Sequence, residues 1–169
     1  MSAFNPPGPD IQTSKMNMIP YKGSSLSLLY PSFLKVKSVE PYWTAMGPKS
    51  TCPVYVLVDP DETIAKAHSS IIYVNNSNKF AALKTDVMRK GNVNTRNGLI
   101  GYEQLIKTTN PIGEEFWTWV IDGQIGTHKV IIHIDVPAAK WCDGEIWSEF
   151  VNSIQITVNE SVSSRSEKQ

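Results

Sequence analysis

The stretch from Glu114 to Ile154 constrains the fold more than any other part of this chain, because it reads as two long strands that fold back on each other and run into one amphipathic helix. In the first arm Phe116, Thr118 and Val120 alternate with Trp117, Trp119 and Ile121. Both faces carry large side chains, so the strand is expected to be central or covered on both sides. Asp122-Gly123 offers the left-handed backbone of a tight reversal. On the return, Val130, Ile132 and Ile134 alternate with Lys129, Ile131, His133 and Asp135, the pattern of a strand with one wetter face, and Pro137 ends it. Trp147, Phe150, Val151 and Ile154 then follow helical spacing, with Asp143 placed to cap the helix.

The segments before this hairpin supply the rest of a sheet. Ser25–Pro31 reads as a short strand at a sheet margin, and Leu34 and Val36, alternating with Lys35 and Lys37, as a second one. Glu40–Pro53 is broken by prolines and reads as a loop, although it holds Tyr42 and Trp43. Val54–Val58 is apolar throughout and predicts a buried central strand, with Asp59-Pro60-Asp61 turning the chain after it. Ala67–Val74 predicts another strand. Phe80, Leu83 and Val87 recur at helical spacing up to Lys90-Gly91 and predict a mid-chain helix. Asn92–Gly98 reads as a loop, Leu99–Thr108 as a strand, and Asn110–Gly113 as the turn into the hairpin. The sum is an α+β fold: a largely antiparallel sheet flanked by a mid-chain and a C-terminal helix. Residues 19–158 form its single domain, preceded by a loosely attached arm (1–18) rich in proline and followed by a polar tail (159–169).

Composition removes several functions. Sixteen basic residues balance sixteen acidic ones, which leaves no general field for nucleic acid or an anionic membrane surface. No run of about 18 apolar residues exists for membrane insertion, and the N-terminus has no apolar signal core, so a cytoplasmic protein is expected. Cys52 and Cys142 lack the spacing of a disulfide framework or zinc site and read as reduced, structural thiols. No nucleophile elbow, phosphate loop, dinucleotide fingerprint or zinc-helix motif occurs, and no cofactor is expected. His133 and Asp135 are two apart on one strand face, with Cys142 nearby, and read as an ordinary surface pair. His68 and His128 stand apart with no third ligand at metal spacing.

The remaining signal is aromatic. Five tryptophans are many for a domain of 169 residues, and they concentrate in the hairpin and last helix. Trp117 and Trp119, with Tyr42 and Trp43 of the proline-rich segment as neighbours, are the candidate partner-binding residues, because two clear helices leave more large side chains than they can cover.

The succession Leu28-Leu29-Tyr30-Pro31, a mid-chain helix, the long hairpin, Val136-Pro137 and a helix carrying Trp147, Phe150 and Ser153-Ile154 resembles the PsbP-like or DcrB-like α/β/α sandwich family over roughly residues 19 to 157. Where that family usually has Gly-Trp after Tyr-Pro, this chain has Ser32-Phe33. The resemblance implies a non-catalytic scaffold, since such proteins serve as photosystem subunits, binders of small GTPases, lipoproteins and accessory proteins of type VI secretion. The expected function is therefore a protein-binding module, an immunity protein or effector chaperone of a bacterial toxin-delivery system whose partner is a toxin or effector. The alternatives are a small-ligand or lipid-binding sandwich and a hydrolase using His133, Asp135 and Cys142.

Overall fold

The computed structural model describes residues 17–68, 84–136 and 144–157. Their strands are β1 (Met18–Lys22), β2 (Leu26–Pro31), β3 (Lys35–Ser38), β4 (Trp43–Met46), β5 (Val54–Val58), β6 (Lys84–Asn94), β7 (Leu99–Thr109), β8 (Glu115–Ile125), β9 (His128–Val136) and β10 (Gln155–Ile156). Residues 62–68 form helix α1 and Gly144–Ser153 form helix α2. A seven-stranded antiparallel sheet runs β3-β4-β5-β9-β8-β7-β6, and a three-stranded sheet runs β1-β2-β10. The architecture is the expected α+β sandwich.

Alternation along the strands explains the layers. Trp43, Ala45, Val54, Val56, Val130, Ile132, Ile134, Ile121 and Leu99 point to one face of the large sheet, the inner face, and are buried in a single core with Leu28 of the small sheet. Helix α2 fills the space between the two sheets. Its Trp147, Phe150 and Val151, together with Ile154 just past its end, join that core. Phe150 sits 5.9 Å from the Trp43 ring and 6.0 Å from Trp147, while Trp147 meets Phe33 edge-on at 6.0 Å. The end of α2 is tied on both sides. Leu29 N donates to Ser153 Oγ at 2.8 Å, and Asn97 Nδ2 donates to the carbonyls of Val151 (3.1 Å) and Ile154 (2.6 Å) at the helix end.

The hairpin is central as expected, with Val120 and Ile121 both wholly buried on opposite faces. Its reversal lies elsewhere. Asp122 and Gly123 are inside β8, paired with Ile131 and Val130, and the two-residue turn is Gly126-Thr127, with φ of 62° at Gly126. Gly123 is instead needed for a close approach, since it faces Gly101 of β7 and a Cβ there would lie 2.5 Å from Ile100 O. The outer face of β9 is drier than its polar residues imply, because Ile131 and His133 are buried. β2 is the middle strand of the small sheet, not a margin.

Three further expectations are corrected. Within Glu40–Pro53, residues Trp43–Met46 form β4, where Trp43 and Ala45 point inward and satisfy a period of two among the prolines. The expected mid-chain helix through Val87 to Gly91 is strand β6, paired along its length with β7; Phe80 and Leu83 lie outside the described residues. The mid-chain helix is α1 instead, so Ala67 and His68 are helical where a strand was expected, and residues 69–74 of that stretch lie outside the described residues. Asp61 starts α1: its Oδ1 accepts from Ile64 N at 2.9 Å and its carbonyl from Ala65 N at 2.9 Å. Both margins of the large sheet carry a bulge, with Lys37 the extra residue in β3 and Met88 in β6.

Candidate functional site

The inner face of the large sheet continues through β8, β7 and β6. There Trp117 and Trp119 of β8 lie half-buried beside the core, opposite Lys107 and Leu105 of β7. Each ring is capped by a cation. The Arg89 guanidinium stands 5.2 Å above Trp119 and the Lys107 ammonium 5.9 Å from Trp117. Glu103 joins the first pair, since its Oε1 accepts from Trp119 Nε1 at 2.8 Å and its Oε2 pairs with Arg89 Nε at 3.1 Å. Lys107 also reaches Glu115 at 3.9 Å. The result is a shelf of two indoles under two cations and two carboxylates. Trp117 Nε1 is buried and finds no partner among the described residues.

The other two candidate residues are elsewhere. Trp43 is on β4, three strands from β8, and is 0 % exposed, so it is a core side chain and not a surface anchor. The segment around it is a strand, and alternation turns its ring inward against Phe150. Tyr42 is half-buried and, with Trp43, Tyr21, Glu40 and Asp59, lines a hollow of about 180 Å³ between the two sheets. A second hollow of about 440 Å³ lies against β3 among Phe33, Met46 and Lys35, Lys37 and Lys49. Neither matches the enclosed apolar chamber expected of a lipid-binding sandwich.

Reading β6 as a helix hid a further surface. On the outer face, Ile100 and Tyr102 of β7, Val87 of β6 and Phe116 of β8 are exposed, with Ile100 at 58 % and Phe116 at 45 %. The signal for it was the strand period of Ile100, Tyr102 and Gln104, legible only once β6 is placed beside β7.

The outer face also gathers a polar cluster that the sequence did not connect. His68 of α1 and His133 of β9 meet with their Nδ1 atoms 3.0 Å apart. Tyr55 of β5 closes a triangle of rings, 5.4 Å from each imidazole. His133 Nε2 lies 3.2 Å from Asp135 Oδ1, which also accepts from Thr118 Oγ1 at 2.8 Å. A carboxylate only accepts, so His133 donates its Nε2–H to Asp135, and one of the two facing Nδ1 atoms donates to the other. Burial, reinforced by the neighbouring His133 and partly opposed by Asp135, holds the His68 pKa below the ordinary imidazole value. The surface pair expected of His133 and Asp135 is thus a half-covered array with His133 buried. Cys142, the third member of the hydrolase alternative, lies outside the described residues. Among the described residues no group of three or more His, Cys, Asp and Glu is arranged to hold a metal. No helix among them is long and apolar enough to cross a membrane.

No family model matches the sequence, and no curated protein matches it. Solved structures do. The Ran-binding protein Mog1p of Saccharomyces cerevisiae superimposes with a TM-score of 0.55 at 12 % identity, over 86 % of this chain and 98 % of that one. The cyanobacterial PsbP (CyanoP) of Synechocystis sp. PCC 6803 matches with a TM-score of 0.55 at 9 % identity, over 83 % of this chain and 93 % of that one. The chain therefore has the PsbP-like sandwich fold that its sequence resembled.

Proposed function

We propose that this chain is a protein-binding module that acts by contact and not by turnover, through the β8-β7-β6 end of its large sheet. The observation that carries the reading is the shelf of Trp117 and Trp119, half-buried beside the core with the side chains of Lys107 and Arg89 over their rings. Tryptophan and arginine are the residues whose truncation most often costs binding energy, and here they are preassembled by Glu103. Among the similar structures, one is a Ran-binding protein by its own description, and a protein partner fits the same fold here. Tyr42 remains a secondary contact.

The finer form of the proposal makes the partner a toxin or effector and the module an immunity protein or effector chaperone. It is supported by the sequence resemblance and by the mixed charge around the indoles. An immunity protein needs polar and acidic groups around aromatic anchors to occlude a toxin, and Glu103 and Glu115 stand in that position.

The test is a pull-down of the tagged chain from its native cells, compared for Trp119→Ala and for the His133→Ala/Asp135→Ala double variant, with melting curves to confirm folding. Trp119→Ala is expected to lose about 2 kcal/mol or more of binding free energy, while the double variant binds normally. The reverse pattern would overturn the surface assignment. A turnover abolished by the double variant would favour a hydrolase instead.

A further inference from the structure

We propose that the turn between β7 and β8 is a preformed plug, with Ile112 at its tip, that enters an apolar cleft rimmed by basic side chains on the partner protein. The inference rests on the contact reading above and states what that partner must offer. Ile112 is 79 % exposed, more than any other large apolar side chain among the described residues. On a loose loop such a side chain would count for little, because the entropy of ordering the loop on binding would offset what its burial gains. This one stands on a turn that is already closed.

Asn110 closes it. Its backbone N–H donates to the Glu114 carbonyl at 3.0 Å, and its own carbonyl accepts from Gly113 N at 2.9 Å. Its side-chain Oδ1 accepts from Ile112 N at 3.1 Å and from Glu114 N at 2.9 Å, while Nδ2 donates to Glu114 Oε1 at 2.8 Å. Gly113, with φ of 92°, takes the backbone position that a side chain would strain. The backbone that carries Ile112 is therefore fixed before any partner arrives.

Shape and charge specify the counterpart. An isoleucine projecting from the tip of a turn is covered by a hollow and not by a flat face, and the hollow must be apolar. Glu114 and Glu115 follow it directly, and residues 110–115 hold no cation. The Glu115 side chain is 44 % exposed and meets Lys107 only at 3.9 Å, which leaves its carboxylate open to a second cation. Lysine or arginine at the mouth of the hollow complements these two acids. The Lys107 ammonium lies against both Glu115 and the Trp117 ring, so the turn and the indole shelf form one surface.

The experiment uses the full chain and the partner recovered with it by pull-down. Ile112→Asp is expected to weaken binding about tenfold or more and Ile112→Leu to retain it, both with an unchanged melting temperature because the side chain is exposed. Asn110→Ala keeps the isoleucine but opens the turn, and is expected to weaken binding as well. Glu115→Lys is expected to weaken it, and added salt to reduce the difference between that variant and the wild-type chain. A photo-crosslinking benzoylphenylalanine placed at position 112 is expected to label residues that line a cleft with lysine or arginine at its mouth. Wild-type binding by Ile112→Asp, alongside loss in Trp119→Ala, overturns the plug and leaves the contact reading standing. Crosslinks to a flat or acidic surface overturn the plug in the same way. If no partner is recovered, or if Trp119→Ala and Ile112→Asp both bind as the wild-type chain does, the plug and the contact reading fall together.

Discussion

Phe150 is the side chain on which the two sheets and α2 converge, wholly buried between the Trp43 and Trp147 rings. Phe150→Ala is expected to destabilise the fold by about 3–5 kcal/mol, measured by equilibrium denaturation, because the rigid rings around it cannot collapse into the space. A cost below about 1 kcal/mol would place the helix on another face. Phe150, Trp147 and Val151 were legible because a helix repeats its buried face every three to four residues. Trp43 was not, since a four-residue strand between prolines gives too short a run for its alternation to stand out. His68 was illegible for a different reason. Its partner is 65 positions away, and a hydrogen bond of that separation is written in the topology, not in any local spacing.

The least legible element was β6. Its bulge at Met88 inserts one residue, so the alternation of Lys84 to Val87 resumes out of phase at Arg89, and the period of two that marks a strand is lost across the join. Being at the margin, β6 also exposes polar side chains on both faces, which removes the contrast that reveals a half-buried strand. The hairpin's ends were legible, and its turn was displaced by four residues because Asp122-Gly123 has the composition of a reversal while serving another purpose. Gly101 and Gly123 lie opposite each other in neighbouring strands, and a methyl group at either meets backbone, not a movable side chain. Gly123→Ala is therefore expected to cost about 1–3 kcal/mol in denaturant unfolding, although alanine would be the better residue in an open strand. A stabilising effect would show that the strands separate there without penalty.

Across the whole molecule the described elements run from Met18 to Ile156, and β1 begins at the end of the stretch assigned to the arm, pairing Met18 with Pro31. A chain trimmed to residues 17–158 is expected to keep a single cooperative melt, since the removed segments have no periodic apolar positions to repay the entropy of ordering. Loss of cooperativity would place part of the core outside those bounds. The layered fold was legible at this scale because one buried hairpin and one amphipathic helix leave few ways to cover both. The bulges at Lys37 and Met88 bear on a different property, the protein's behaviour at high concentration. An open sheet has two rows of unpaired backbone groups that invite copies of the same chain to add on. In this protein each outermost strand is kinked by one inserted residue, which is itself a lysine in β3 and is followed by Arg89 and Lys90 in β6. Deleting Met88 is expected to straighten the longer margin and raise self-association in light scattering. An unchanged particle mass would mean that charge alone keeps the edge apart. One inserted residue at each border of the sheet thus sets the backbone register that a neighbouring copy would have to match.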